Sequence, residues 1–290
     1  MTSRFAFFDV LHWRQELRDL ISLSKPGVTG LLVFTALMTT WVASGPWVQP
    51  SQLAILVLAG GLTAGGAGAI NQYLERELDA RMPRTAHRPL PAGRLAVPET
   101  ALVWGLFLCV AGLAVAAVTL PIEATAFFLL GLVIYIPIYT WLLKPRTHWA
   151  VVIGGAAGSC PVLAGWATAR GDWPLLPLAL AALVFFWTPA HFWAYAIVHK
   201  EAYKRAGLPM LPNVVGVGAT PPYILAHAVL AVVAGGLALS GWAAVIAGLS
   251  GLAFLLSCIA LWREPTAHRA WRVYKFSNYY LLFVFLGLVL

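Results

Sequence analysis

The stretch LAILVLAGGLTAGGAGAINQYLERELDARMPRTAHRP, residues 53–89, changes character at a single point. Leu53–Ile70 is rich in glycine and alanine and carries no charged residue. Asn71–Pro89 then brings Glu75, Glu77 and Asp79 together with Arg76, Arg81, Arg84 and Arg88. The first half has the length and apolarity to cross a bilayer. The second is a dense charge cluster in a chain that is 60% hydrophobic and only 10% charged. A helix leaving the membrane at a chemically loaded face explains both halves.

The whole chain extends this reading. Its charged share is under half of the roughly 25% usual in globular proteins, and its mean hydropathy is +0.80. Thirteen tryptophans and nineteen prolines suit a multi-span bundle with aromatic belts and tolerated kinks. The fold class is all-α, a polytopic membrane protein with one membrane-embedded domain over residues 1–290. Nine spans are expected, at 27–44, 52–72, 98–118, 122–143, 149–169, 174–197, 219–239, 242–262 and 274–290. The division of the seventh from the eighth is open, since Gly235–Gly241 reads as a kink or as a turn. Residues 1–24 contain no isolated apolar core before a cleavage site. Val10, Trp13, Leu17, Leu20 and Ile21 instead fall at helical spacing, as in an amphipathic helix on the membrane surface, with Lys25-Pro26 where the chain enters the bilayer.

Charge distribution orients the bundle. With the amino terminus in the cytoplasm, only Arg170 of the nineteen Lys and Arg residues falls outside, as the positive-inside rule requires. The outer loops are short, with Glu123 and Asp172 as their acids, so chemistry concentrates on the cytoplasmic face. The net charge of +8 is dispersed over helix ends, which argues against nucleic acid as a partner. Cys109, Cys160 and Cys258 lie in separate apolar stretches without metal-ligand spacing.

Asn71, Glu75 and Asp79 stand at i, i+4 and i+8. They share an arc of about 80° along about 12 Å of one helix face. Oxygen donors in a line suit a hard cation such as Mg²⁺, which takes few protein oxygens and completes its shell with substrate phosphates. The downstream Arg84 and Arg88 offer guanidinium forks for phosphate oxygens. The combination is what a diphosphate substrate requires. The competing reading is a solvated helix end with i, i+4 pairs, which accounts for Glu77–Arg81.

Two further segments carry polar groups. In WTPAHFWAYAIVHKEAYKRAGLPMLPNVVG, residues 187–216, Pro189 should kink a helix beside the intramembrane His191. Lys200, Glu201, Tyr203 and Lys204 follow at its cytoplasmic end. Glu201 can help hold a second cation, or pair with Arg205 at i+4. His191 is either a hydrogen-bonded structural residue or a substrate contact, and His227 has no polar neighbour in sequence. In YTWLLKPRTHWAVVIGGAAGSCPVLAGW, residues 139–166, Lys144 and Arg146 sit at a helix junction. The small residues of Gly154–Gly158 then allow close approach of a partner helix or a flat ligand.

NQYLERELDARMPRTAHRPLPAGR resembles the first signature, NxxxDxxxD, of the UbiA superfamily of intramembrane prenyltransferases. Its RTxxRP continuation, Arg84-Thr85 and Arg88-Pro89, is similar to the protohaem IX farnesyltransferase (haem O synthase) family within it. SKPGVTGLLVFT, LLKPRTHWAVVIGGAAGSCPVLAGW, WTPAHFWAYAI and YKRAGLPMLPNVVG are similar to further segments of that family, in the same order. The resemblance implies nine helices around a central cavity in a bacterial cytoplasmic membrane. It implies farnesyl diphosphate, haem b and water as substrates, haem O and diphosphate as products, and a requirement for Mg²⁺. By position, Asn71, Glu75 and Asp79 would hold Mg²⁺ as the catalytic set, with Glu201 as a further ligand. Arg84, Arg88, Lys144, Arg146 and Lys200 would neutralise the diphosphate. His191, Trp187, Phe192 and Trp193 would line the cavity near prenyl chain or porphyrin, and Tyr203 is grouped with these substrate contacts. Implied partners are the lipid bilayer and haem-oxidase assembly proteins such as haem A synthase. Two departures stand out: Glu75 replaces the commoner Asp, and the second acidic motif is reduced to Glu201 followed by Arg205. The rival readings are a superfamily prenyltransferase for an aromatic or chlorophyll-like acceptor, and a non-catalytic haem-binding scaffold or transporter.

Overall fold

The computed structural model describes residues 2–289, with side chains from Trp13 onward apart from Pro46. Leu290 and the side chain of Val10, which figured in the expectations above, lie outside the described set.

The described residues form helices without a strand. Helix α1 (Thr2–Leu23) leads to α2 (Pro26–Ser44), α3 (Pro50–Leu74) and the short α4 (Arg76–Ala80). Next come α5 (Glu99–Thr119) and α6 (Ile122–Val133), which runs on as a π-helical segment over Ile134–Leu143. Then follow α7 (Ala150–Ala169), α8 (Leu175–Val198), α9 (Lys200–Arg205) and α10 (Leu211–Val214). The chain closes with α11 (Pro221–Ala238), α12 (Gly241–Arg263) and α13 (Ala267–Gly287). Prolines in the first turn of α2, α3 and α11 start these helices where their missing N–H costs nothing.

Among the described residues, eight helices are long and apolar enough to cross a membrane. The ninth expected span corresponds to α13, which begins earlier than residue 274. It takes in Arg269, Arg272 and Lys275 in its first half, and so falls short of the apolarity of the others. The doubtful division at Gly235–Gly241 is a real break: α11 ends at Ala238, and Gly241 takes a φ of +58° that glycine adopts without strain. Exposed Val118, Trp47 and Trp242 show the outward faces to be apolar, as a lipid-facing bundle needs.

Two sub-bundles share the molecule. Helices α2, α3, α5, α6 and α7 pack together, and α8, α11, α12 and α13 form the second group, joined to the first through α7–α8 and α2–α13. Glycine sets the closeness of the α3–α5 pair: a Cβ on Gly66 would lie 2.6 Å from the Gly105 carbonyl oxygen. Bulky Trp193, Phe254, Tyr280 and Phe285 fill the core of the second group.

Amphipathic α1 divides its apolar residues. Leu20 packs near the cluster of Leu23, Ala69, Leu95 and Ala101, whereas Trp13, Leu17 and Ile21 are exposed along one face. Asp19, between them, is buried and paired with Arg94 at 3.1 Å, which clamps α1 to the segment after α4.

Candidate active site

The acidic face does not lie on one uninterrupted helix. Helix α3 stops at Leu74, Glu75 sits at φ −96° and ψ 6°, and α4 resumes at Arg76. The i+4 register nevertheless survives, because Glu75 N donates to Asn71 O at 3.0 Å and Asp79 N to Glu75 O at 2.8 Å. Asn71, Glu75 and Asp79 are all buried, at 1%, 5% and 2% exposure. That burial decides against a solvated helix end for these three, since unpaired buried carboxylates are prohibitively costly. Glu77 is exposed and comes within 4.0 Å of Arg76 rather than pairing with Arg81.

Each buried oxygen-bearing group faces its own cation, delivered by a different element. Lys25, at the start of α2, donates to Asn71 Oδ1 and to the Tyr135 hydroxyl, the latter at 3.3 Å. Lys144, after the π-helical segment, meets Glu75 Oε1 at 2.5 Å. Arg88 meets Asp79 Oδ2 at 2.7 Å, while Thr85 Oγ1 donates to the Asp79 carbonyl at 2.9 Å and shapes the turn that brings Arg88 back. Three cations against two carboxylates leave the enclosure net positive, as a polyanion site requires. Burial pushes the Lys25 ammonium down to about 8, with the Glu75 charge acting against it. Burial acts downward on Lys144 too, but the charge and hydrogen bond of Glu75 outweigh it and raise its value.

Supporting contacts fix these groups. Asn71 Nδ2 donates to Thr140 Oγ1 at 2.9 Å, and Thr140 Oγ1 reaches the Tyr135 carbonyl at 2.8 Å within the Pro137-containing π-helical segment. Gln72, on the other side of α3, donates to the carbonyl of Leu23 at 2.9 Å and so ties α3 to the junction that carries Lys25. Lys25 is the one non-glycine residue among those described with positive φ, at +47°. The sequence marked it only as the point where the chain enters the bilayer. Tyr135, Tyr139 and Thr140 had no sequence signal beyond their apolar surroundings.

Other expected residues lie elsewhere. Arg146 is exposed and donates to the carbonyls of Trp141 and Leu142, closing orphan groups at its own helix end. Arg84 parts company with Arg88: its guanidinium lies over the Tyr195 ring at 5.6 Å. With His199, Lys200 and Glu201 it borders a cleft of about 460 Å³ at the end of α8. Glu201 is exposed and, among the described residues, makes no ion pair with Arg205. No group of three His, Cys, Asp or Glu side chains among the described residues is placed to hold a metal, so an acidic set must use the Asn71 amide. Tyr203 is buried, its ring 6.4 Å from Phe192, and burial pushes its phenol up to about 12 against the pull of Arg84 and Lys144. Trp187 and His191 face α13, where Trp187 Nε1 donates to the Ser277 carbonyl and His191 Nδ1 lies 2.8 Å from Ser277 Oγ. Trp193 turns away into the core against Tyr223 and His227. His227 has a polar neighbour after all, the Tyr223 carbonyl at 2.9 Å. The Gly154–Gly158 run is used for packing: a Cβ on Gly154 would lie 2.5 Å from the Tyr139 ring.

The sequence matches the UbiA prenyltransferase family over residues 32–284. The chain belongs to that family. Among its UbiA relatives, a protoheme IX farnesyltransferase of Rhizorhabdus wittichii is 41% identical over 288 residues, covering 94% of this chain and 92% of the relative. One of the same name from Chloroflexus aurantiacus is 39% identical over 284 residues. There the match takes in 96% of this chain and 48% of the relative, so the chain spans about half of that longer protein. A UbiA homolog from Archaeoglobus fulgidus, solved bound to DMAPP and Mg²⁺, shares the fold at a TM-score of 0.68 and 15% identity. That likeness covers 94% of this chain and 99% of the other.

Proposed function

We propose that this UbiA-family chain is a protohaem IX farnesyltransferase. It joins the farnesyl group of farnesyl diphosphate to a vinyl group of haem b, with addition of water, and releases haem O and diphosphate. The observation that carries the reading is the buried Asn71–Glu75–Asp79 face with a separate cation on each member. The kinship with proteins of that name over most of the chain supports the choice of acceptor.

The donor set fits Mg²⁺. An amide and two carboxylates are hard oxygen ligands, and few of them suffice when a diphosphate supplies the rest. Asn71, Glu75 and Asp79 would hold the ion, and Glu201 would enter only for a second one. When bound, Mg²⁺ supplies Lewis-acid neutralisation of the diphosphate oxygens.

The chain's own cations complete the chemistry. Lys25, Lys144 and Arg88 now satisfy the oxygens that a metal would take, so their donors are released towards diphosphate when those oxygens are claimed. They then oppose the negative charge that builds as the allylic C–O bond breaks. Farnesyl C1 bonds to the terminal carbon of the haem vinyl group, and the positive charge moves to the carbon beside the ring. Water adds there and loses a proton to solvent, leaving the hydroxyl of haem O. Apolar and aromatic walls delay water until that point. No side-chain nucleophile is required, and Cys109, Cys160 and Cys258 are buried.

In this reading residues 1–290 act as one domain around a central cavity in a bacterial cytoplasmic membrane. The amino terminus and the acidic face are cytoplasmic, and the haem O product suits transfer to a partner such as haem A synthase. Purified protein in lipid, given haem b, farnesyl diphosphate and Mg²⁺, should yield a haem heavier by one hydroxyfarnesyl unit in mass spectrometry, and none when the metal is chelated. Folded protein that makes no such product rules the assignment out.

A further inference from the structure

Helix α1 carries a charged pair that its place at the membrane surface does not account for. Trp13, Leu17 and Ile21 form an exposed apolar stripe of the kind that a lipid surface takes. Asp19 is buried instead, with Arg94 Nε at 3.1 and 3.2 Å from its two carboxylate oxygens and Gln15 Nε2 donating to Oδ2 at 3.2 Å. Replacing a buried ion pair by apolar packing is often neutral or stabilising, so seating α1 on the bundle does not call for one. Leu20 and Leu23 already supply that apolar packing.

The far end of the guanidinium shows what the pair holds. Arg94 Nη1 donates to the His87 carbonyl at 2.8 Å. That carbonyl and the Arg88 N–H belong to one planar peptide, and Arg88 N donates to the Thr85 carbonyl at 3.0 Å. The peptide from which Arg88 departs is thus gripped at both of its polar atoms. The segment also closes on itself, with Ala92 N on Arg88 O at 2.9 Å, Arg94 N on Pro89 O at 3.0 Å, and Gly93 at φ +67° making the turn. Arg88 then carries its own guanidinium to Asp79 Oδ2 at 2.7 Å. The Arg94 side chain is 39% exposed, and a charged group so open to water holds a surface partner weakly by itself. Asp19, fixed inside the protein, supplies the constraint.

We propose that Arg94, held by Asp19, is a positioning residue for the prenyl diphosphate. It fixes the His87–Arg88 peptide and with it the direction in which Arg88 leaves the backbone. The pair acts through Arg88 and not on the substrate. Its loss leaves the site with the same Arg88 charge but less orientation, which weakens binding of a ligand whose oxygens must meet a placed guanidinium. The inference rests on reading the Asn71–Glu75–Asp79 enclosure as a prenyl diphosphate site. Asp19 lies on the helix that also leads to Lys25, so Arg94 is the residue on which the test turns.

The test is calorimetric titration of the full chain in lipid nanodiscs with a non-reactive farnesyl thiolodiphosphate and Mg²⁺. Arg94→Gln should weaken binding roughly 3- to 30-fold, the range for a residue that acts through a neighbour. In an Arg88→Gln background the same change should weaken it by less than about twofold, because the side chain it positions is gone. Arg18→Gln, which removes an exposed cation from the same helix, should bind as wild type does. Should Arg94→Gln not fold, a second series serves. Asp19→Ala, which releases Arg94, should weaken binding within the same range. Asp19→Asn, which keeps an acceptor oxygen for Arg94 Nε, should recover most of that loss. Wild-type affinity in Arg94→Gln or Asp19→Ala, an equal loss with and without Arg88, or a like loss in Arg18→Gln overturns the positioning role alone. Wild type that binds the analogue no better with Mg²⁺ than without overturns the diphosphate reading, and the positioning role with it.

Discussion

At the scale of single residues, the site is a set of buried pairs, each oxygen-bearing group against its own cation. Asp79 is buried against Arg88, so Asp79→Ala removes the proposed cation ligand and strands a guanidinium. We expect turnover to fall by 10²-fold or more, roughly the loss of one preorganised electrostatic group, with haem retention largely intact; unchanged turnover would take Asp79 out of the site. Lys25 holds its ammonium on Asn71 at the expense of a left-handed backbone. That conformation costs about 1–2 kcal/mol for a side-chain-bearing residue. Lys25→Gly should therefore leave thermal stability equal or higher while raising the KM for the prenyl diphosphate; a drop in Tm with unaltered KM contradicts this. The carboxylates and Arg88 were legible from sequence because their spacing and charge are local properties. Lys25 was not, because its role is set by a contact with a residue 46 positions away. Arg84 lies over Tyr195 and Arg146 caps its own helix end, directions that sequence does not carry: charge type is visible there, but the course of a long side chain is not.

At the scale of elements, glycine contacts position the acidic face. A Cβ on Gly66 would meet Gly105 O at 2.6 Å, Cys109 Sγ at 2.7 Å and Cys109 N at 2.8 Å, and the two backbone atoms cannot give way without parting α3 from α5. Gly66→Ala should destabilise the protein by about 1–3 kcal/mol and lower turnover, since α3 carries Asn71. Gly61→Ala, which faces open space, should do neither in the same thermal-melt and activity assays. Thr140→Val should cost about 1 kcal/mol through the lost hydrogen bond to Asn71, read as a lowered Tm. Hydropathy located nearly every span, because apolar length alone defines a bilayer crossing. It was blind to the break at Glu75 and to the π-helical turn around Pro137, where a change of backbone hydrogen bonding leaves no mark on hydropathy. It also set the start of α13 too late, since that helix begins among charged residues.

At the scale of the whole molecule, the two sub-bundles divide the labour. The first holds the cation-capped acidic face, the second a core of bulky aromatic side chains, and the Arg84–Arg88 segment reaches both, Arg88 to Asp79 and Arg84 to Tyr195. The basic residues cluster at the end where Lys25, Glu75 and Lys144 gather, with Arg170 at the other, paired to Asp172 at 2.8 Å. In a chain whose native cysteines are replaced, a cysteine at position 170 should react with an impermeant maleimide from outside intact cells, and one at position 81 only after permeabilisation. The reverse pattern would invert the topology. The central claim is that Asn71, Glu75 and Asp79 hold a divalent cation against a prenyl diphosphate. Calorimetric titration with a non-reactive farnesyl thiolodiphosphate, with and without Mg²⁺, tests it most directly. Wild type should bind tightly only with the metal, and Asn71→Ala and Asp79→Ala should bind weakly under both conditions. Metal-independent binding, or variants that keep the full Mg²⁺ enhancement, would contradict the account.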